Sequence, residues 1–215
     1  TRAMAYGEYM QGVVRNEKNV LFINVSWGVA AGIIIDGKMY KGRSGFSGEF
    51  GHNYGYDNEI LCHCGKKGCI ETEASGLALH RILLEQLNEG KTSIIQQIKE
   101  DVSQITLNDI IEAVEREDML CIELVEELGV KLGTHIAGLV NIFNPEMVVI
   151  GGLMSLTGDY LIQPIASTVR KYTLNLMFRD SFIVLSKDEN GLYDNTSSGF
   201  KKRDLQKRVE IASEI

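Results

Sequence analysis

Three of the four cysteines lie close together, at positions 62, 64 and 69, and a histidine at position 52 precedes them. Thiolates and imidazole nitrogens are the ligands that Zn²⁺ prefers in closed, four-coordinate structural sites. Glycines at positions 65 and 68 allow the backbone between them to curl round an ion. The pattern therefore predicts a structural zinc site formed by His52, Cys62, Cys64 and Cys69.

Two other interpretations of the cysteines are weaker. Neighbours as close as Cys62 and Cys64 rarely pair well as a disulfide, and the sequence does not open with an export signal. A reduced thiol cluster without metal would leave a long glycine-rich segment with almost no core of its own. His63 lies between two ligating cysteines and is expected to point away, whereas His80 and His135 lie in helical patterns and are interpreted as surface or packing residues.

Two glutamates flank the predicted metal site, since Glu49 precedes His52 and Glu71 follows Cys69. A polyhydroxylated ligand such as a sugar is held by donors and acceptors that converge from several loops. A metal would fix both loops and aim both carboxylates, which is a positioning role rather than a catalytic one. The alternative is that both residues are exposed loop glutamates.

Glycines in two further segments are candidate contacts for a nucleotide. Backbone N–H groups at a glycine hairpin can approach phosphate oxygens closely, and the segment SWGVAAG at residues 26–32 lies between two predicted strands. A nucleotide base could lie on the bare backbone that ends a later strand. The candidates are Gly28, Gly32, Gly151 and Gly152. Trp27 weakens the first segment because it is bulky, and the second is also a common strand-to-helix turn.

Alternating helices and strands must position these residues, and they predict one α/β unit over residues 1–186. Asp36-Gly37 predicts a hairpin turn, and Ser75 and Thr106 are expected helix caps, the latter in a capping box with Asp109. Helices are predicted over residues 1–12, 75–89, from 106, 119–143 and 159–173, and strands over 20–25, 31–35, 38–40, 147–150 and 182–185. Residues 187–215 are polar and turn-rich, and they are interpreted as a solvated tail.

The composition excludes several classes of protein. Hydrophobic residues make up 44% and charged residues 24%, as in an ordinary globular domain. No apolar run reaches the roughly 18 residues of a membrane helix, and the start lacks a signal peptide, so we expect a cytoplasmic protein that spans no membrane. A formal net charge of -7 argues against nucleic-acid binding by this chain itself.

These motifs resemble the ROK family, which contains repressors, unclassified reading frames and sugar kinases. The family pattern Gly-Glu-x-Gly-His matches residues 48–52, and Cys-x-Cys-Gly-x-x-Gly-Cys-x-Glu matches residues 62–71. Asn-Pro-Glu-x-x-x-Ile-Gly-Gly matches residues 144–152, and Ala-x-x-x-Gly-Glu matches residues 3–8. The resemblance covers about residues 1–186.

The resemblance implies an actin-like, ribonuclease-H-like α/β fold with a sugar in the cleft between two domains, of which this chain holds mostly the C-terminal one. Zinc would be held by His52, Cys62, Cys64 and Cys69. The residues Glu49, His52 and Glu71 would contact the sugar hydroxyls. Members of the family usually form dimers or tetramers, so a homodimer or homotetramer is expected.

Three departures from the family pattern bear on activity. The family places an Asn-Asp pair, whose Asp is the general base, just before the Ala-x-x-x-Gly-Glu helix. The chain begins at Thr1, one position too late, so the N-terminal lobe is expected to be missing and no catalytic residue is assigned. Kinases of the family carry Gly-Thr-Gly where this chain has Ser26-Trp27-Gly28, and an indole should obstruct phosphates. Finally, residues 187–215 do not resemble the family's closing glycine- and alanine-rich helix.

Three functions follow from these observations. The first is the sugar-sensing and oligomerising domain of a transcriptional repressor, which binds a hexose or amino sugar and contacts DNA only through a separate N-terminal domain. The second is a fragment of a sugar kinase, resembling glucokinases or N-acyl hexosamine kinases, that uses ATP and Mg²⁺. The third is a zinc-stabilised scaffold with a vestigial cleft.

Overall fold

The computed structural model describes residues 1–99, 101–176 and 181–186. The helices in these ranges are α1 (Arg2–Gln11), α2 (Gly76–Asn88), α3 (Ile95–Ile98), α4 (Leu107–Glu115), α5 (Met119–Phe143) and α6 (Asp159–Tyr172). The strands are β1 (Val20–Val25), β2 (Val29–Ile35), β3 (Lys38–Met39), β4 (Met147–Gly151) and β5 (Phe182–Leu185). Short 3₁₀ turns are formed by Phe50–His52, Ile70–Thr72, Val102–Gln104 and Leu153–Thr157.

The described strands form one mixed sheet in the order β3-β2-β1-β4-β5. Strands β1, β2 and β3 are antiparallel neighbours, whereas β4 runs parallel to both β1 and β5. The Asp36-Gly37 turn joins β2 to β3 with φ of 51° and 76°, as an Asp-Gly hairpin requires. The predicted α/β fold class is confirmed.

The two faces of the sheet are covered unequally. Because side chains alternate along a strand, Leu21 and Ile23 of β1 join the large core with α2, α4, α5 and α6. Phe22 points to the other face, where a smaller cluster includes Ala5 of helix α1 and Val149 of β4. One thick helical layer and one thin layer therefore enclose the sheet.

Helix caps agree with the sequence analysis. The Ser75 hydroxyl accepts a hydrogen bond from the Ala78 N–H at the start of α2. Thr106 and Asp109 form the predicted capping box at the start of α4. Helix α5 has the predicted bounds, and Asn144 ends it in the left-handed conformation with φ of 44°.

Some boundaries differ from the prediction. Strand β2 begins at Val29 rather than residue 31, because Val29 pairs with Val25 across the turn. Strand β3 ends at Met39, one residue earlier than expected. The predicted tail, residues 187–215, lies outside the described residues. None of the helices in the described ranges combines the length and hydropathy of a membrane-spanning segment.

Candidate functional site

Two glycines allow the turn that carries His52 to lie directly on strand β2. A Cβ atom on Gly48 would lie 1.9 Å from the carbonyl oxygen of Ala31, and one on Gly51 would lie 2.3 Å from that of Val29. The Ala31 N–H also donates a hydrogen bond of 2.8 Å to the carbonyl oxygen of Gly48. Any side chain at these positions would push the turn away from the sheet.

The structure brings the four predicted metal ligands together. The Nδ1 atom of His52 lies 3.6 Å from the Sγ atom of Cys62, and the Sγ atoms of Cys64 and Cys69 are also 3.6 Å apart. All four donor atoms lie within 4.8 Å of one another. A tetrahedral zinc ion with bonds of about 2.0–2.3 Å requires ligand atoms roughly 3.5–3.8 Å apart. The two pairs at 3.6 Å match this spacing, so the four side chains form a cluster that could hold a metal ion.

Backbone hydrogen bonds shape the loop that carries the cysteines. The Cys62 N–H donates to the carbonyl oxygen of Lys66 at 2.8 Å, and the Gly65 N–H donates back to that of Cys62 at 2.9 Å. The Lys66 ammonium group donates a hydrogen bond of 2.8 Å to the carbonyl oxygen of His52. These contacts join the cysteine loop to the histidine turn.

The thiols differ in acidity within the cluster. A hydrogen bond from the backbone of Lys66 lowers the pKa of Cys64, which is exposed. Burial, together with the neighbouring sulfur atoms, raises the pKa of Cys69 to about 12. Crowded thiolates repel one another, and a bound cation would relieve that repulsion while displacing the protons.

Glu71 is buried, so it is not the exposed loop glutamate of the alternative interpretation. Its side chain is 8% exposed, and its Oε2 atom accepts a hydrogen bond of 3.0 Å from the Val29 N–H. A Cβ atom on Gly28 would lie 2.4 Å from that same oxygen. The carboxylate therefore lies against the turn between β1 and β2, although 42 positions separate it from Val29 in sequence.

The prediction that His63 points away from the site is wrong, because its side chain contacts Glu71. Its Nδ1 atom lies 3.0 Å from the Oε1 atom of Glu71, and its ring packs edge-on against that of His52 at 5.1 Å. His63 is absent from the four-residue cluster, but it forms a second group of possible ligands with His52 and Glu71. A polar residue between two closely spaced ligands was the only sequence signal for this contact.

Glu49 remains largely exposed at the edge of the same site. Its side chain is 58% exposed, and its Oε2 atom lies 3.9 Å from the Nε2 atom of His52. The two ring nitrogens of His52 therefore face different groups, with Nδ1 toward Cys62 and Nε2 toward Glu49. The two ring nitrogens could therefore contact different groups.

The four predicted nucleotide-contacting glycines fall into two groups. Gly28 and Gly152 border the turn after β1, where a Cβ atom on Gly152 would lie 2.8 Å from the Ser26 hydroxyl. Gly32 and Gly151 pack inside the sheet layers instead. A Cβ atom on Gly32 would lie 2.4 Å from that of Ala5, and one on Gly151 would lie 2.6 Å from the Phe22 ring.

Trp27 stands at the tip of the turn after β1. Its side chain is 46% exposed, and its ring packs edge-on against His80 at 5.4 Å. The Nε2 atom of His80 lies 2.9 Å from the carbonyl oxygen of Ile105, and the ring of His135 packs against Tyr56. Both histidines are packing residues, as predicted.

Known proteins similar to this chain include both regulators and kinases. The chain is 36% identical over 171 residues to a glucokinase of Halalkalibacterium halodurans, covering 79% of this chain and 52% of that protein. It is 34% identical over 186 residues to a xylose repressor of Caldicellulosiruptor bescii, covering 86% of this chain and 46% of that protein. The chain thus spans about half the length of the curated relatives it matches.

The solved structures similar to this chain also include both a regulator and a kinase. A ROK family transcriptional regulator, a homologue of the Escherichia coli MLC protein, superposes with a TM-score of 0.80 at 32% identity, covering 88% of this chain and 47% of that one. A ROK family glucokinase from Streptomyces griseus, in complex with glucose and AMPPNP, superposes with a TM-score of 0.78 at 30% identity, covering 86% and 61%. These neighbours give the chain an actin-like ATPase fold. Since the ROK family model matches residues 1–192, the chain belongs to the ROK family.

Proposed function

We propose that this chain is the sugar-sensing, oligomerising domain of a ROK-type transcriptional regulator, with a hexose or an amino sugar as its effector. The observation that carries this proposal is the contact between the buried Glu71 carboxylate and a turn whose tip is Trp27. A buried carboxylate suits a sugar hydroxyl, whereas an indole at the tip of this turn disfavours a triphosphate. A sensor must bind the sugar but does not need to bind a triphosphate.

The sugar contacts in this proposal are Glu49, His52 and Glu71. Each carboxylate oxygen can accept two hydrogen bonds, so Glu71 retains acceptor capacity beyond its bond from Val29 and its contact with His63. His52 would offer its Nε2 atom beside Glu49. The exposed Glu49 and the buried Glu71 would then contact the sugar from two loops.

Zinc is the cofactor in this proposal, held by His52, Cys62, Cys64 and Cys69. The fit of the donor spacing to tetrahedral coordination supports this assignment. The ion would hold the histidine turn and the cysteine loop at a constant separation. Metal analysis of the purified chain tests this assignment. About one zinc ion per chain is expected, and a chain without zinc would overturn the assignment.

Trp27 offers a direct test of sugar binding, because it is the single tryptophan of the chain. Titration with glucose, xylose and N-acetylglucosamine should change its fluorescence and raise the melting temperature for at least one of them. Ligand at a hundred times its Kd stabilises a fold by about 2.7 kcal/mol. Glu71→Gln should abolish the response, whereas Glu59→Gln, at an exposed glutamate paired with Lys67, should retain it. Failure of every sugar tested would favour the vestigial scaffold.

A sugar kinase is the second candidate, and the 36% identity to a glucokinase favours it. The backbone at Gly28 and Gly152, which border the turn after β1, would then contact ATP, with Mg²⁺ on the phosphates. Titration with AMPPNP and Mg²⁺, in the presence of the bound sugar, separates the two candidates. The sensor should show no response of Trp27 to the nucleotide, whereas saturable nucleotide binding would favour the kinase.

Assembly and DNA contact complete the proposal. The acidic chain, with a formal net charge of -7, would oligomerise as a dimer or tetramer, while DNA would be contacted by another domain. Light scattering on the purified chain tests the first part. A monomer at micromolar concentration would contradict it.

A further inference from the structure

The Glu71 carboxylate is held at both of its oxygens. The Val29 N–H donates to Oε2 at 3.0 Å, and the Nδ1 atom of His63 lies 3.0 Å from Oε1. His63 supplies a close side-chain polar contact to this carboxylate. The orientation of the carboxylate plane therefore depends on one backbone group and one imidazole ring.

The cysteine loop itself restrains His63. Its chain neighbours Cys62 and Cys64 both belong to the donor cluster, and its ring packs edge-on against His52, another member. Although the side chain is 70% exposed, it is thus held by the backbone on either side, by a ring contact and by Glu71. An exposed histidine in a free loop would have none of these restraints.

We propose that His63 is a positioning residue, which fixes the Glu71 carboxylate in the orientation that accepts sugar hydroxyls and ties that orientation to the cysteine loop. This inference rests on the proposed sugar-binding function. It assigns to His63 a role distinct from metal ligation, because its Nδ1 atom lies closer to Glu71 Oε1, at 3.0 Å, than to Cys62 Sγ, at 4.0 Å. The cysteine loop would then influence sugar affinity through the contact between His63 and Glu71.

The test compares three variants of the full chain by Trp27 fluorescence titration with the best-binding sugar, and by zinc content. His63→Ala should weaken sugar affinity about tenfold, as losses of orienting partners commonly do, with zinc content unchanged. His63→Asn should recover most of the affinity, since its amide nitrogen can occupy the place of Nδ1 and donate to Glu71. Lys67→Ala, in the same loop but paired with Glu59, is the matched control and should bind as the unsubstituted chain does.

Each other outcome counts against the inference. Unchanged affinity in His63→Ala would show that Val29 alone suffices to orient Glu71. Loss of zinc in that variant would make His63 a ligand rather than a positioning residue. Failure of His63→Asn to recover affinity would exclude the hydrogen bond as the cause. If the unsubstituted chain binds no sugar, the proposed function itself fails, and this inference fails with it.

Discussion

The sheet with its helices and the segment of residues 48–71, here called the metal loop, are ordered by different forces. In the sheet and helices, side chains such as Ile23, Leu132 and Val149 are fully buried in two apolar clusters. In the metal loop, Tyr54 and Leu61 are 72% and 68% exposed. The loop contributes Phe50 and Ile70 to the larger cluster, but much of it is held by close backbone approaches, hydrogen bonds and the proposed metal ligands.

This difference separates stability from function. Burial of apolar surface is non-directional, so the sheet and helices tolerate small changes of side-chain shape without losing their arrangement. Hydrogen bonds and metal coordination are directional, so the hydrogen bonds of the loop and the proposed metal would restrict the positions of Glu71 and His52. The metal loop can therefore fail locally while the rest of the fold persists.

The largest expected effect is loss of the metal from the loop. Cys64→Ser replaces a soft ligand by a hydroxyl, and zinc content should fall from about one to near zero per chain. Hydrogen exchange should then quicken in the metal loop, while β1 and β4 stay protected. Metal analysis and hydrogen exchange by mass spectrometry measure the two effects.

Cys121→Ser is the matched control for that change. Cys121 is fully buried in α5, where burial raises its pKa to about 12, and it lies outside the donor cluster. This variant should keep its zinc and lose stability only through the core. Unchanged zinc in Cys64→Ser, or lost zinc in Cys121→Ser, would overturn the ligand assignment.

The converse experiment weakens the core without touching the loop. Leu132→Ala, in the middle of α5, should lower the free energy of unfolding by about 3 kcal/mol, because it leaves a cavity among fully buried neighbours. Zinc content and sugar affinity at low temperature should not change. Urea denaturation with metal analysis checks this, and a loss of zinc from the folded variant would show that the two regions are coupled.

The same division explains what the sequence could predict. The periodicity of apolar residues predicted the bounds of α5 correctly, because a 3.6-residue repeat is imposed by burial of one helix face. The capping box of Thr106 and Asp109 was also predicted correctly, since it depends on local spacing. Strand β2 was predicted two residues short, because its start depends on pairing with Val25 rather than on its own residues.

In the site, the spacing of cysteines and glycines predicted which residues would gather in the metal loop. Sequence spacing could not reveal that Glu71 contacts the turn at Gly28, because that contact depends on how the loop lies on β2. His63 was expected to point away, and its contact with Glu71 was missed for the same reason. Local patterns thus predict a cluster of ligands better than they predict what the cluster touches.

A smaller effect is expected at the start of α5, where a polar side chain supports the core. Burial alone would raise the pKa of Asp118, but hydrogen bonds from the Cys121 and Ile94 N–H groups and the Ser93 hydroxyl hold that pKa below its usual value. Asp118→Ala should cost about 2 kcal/mol at pH 7, the upper range for a helix cap. Zinc content should stay unchanged.

The pH dependence of that cost follows from the lowered pKa. The stabilising contribution of Asp118 is present above the unfolded pKa of about 3.9 and is lost as the pH falls through the lower folded pKa. The difference in stability between Asp118→Ala and the unsubstituted chain should therefore narrow as the pH falls below about 3.9. A constant difference between pH 7 and pH 3 would show that the carboxylate charge contributes nothing.

The smallest expected effect concerns His135, where α5 meets the metal loop. Its ring packs against Tyr56, and a Cβ atom on Gly55 would lie 2.8 Å from it. Burial lowers the pKa of His135, so the unfolded chain binds a proton more readily than the folded chain does. The folded state therefore loses stability as the pH falls through the unfolded pKa of about 6.5. His135→Gln removes this titration. The stability of the variant relative to the unsubstituted chain should therefore rise as the pH is lowered from 7.5 to 5.5. Urea denaturation at the two pH values measures the difference. An equal change of unfolding free energy with pH in both proteins would mean that the contact between α5 and the loop tolerates a charged imidazole.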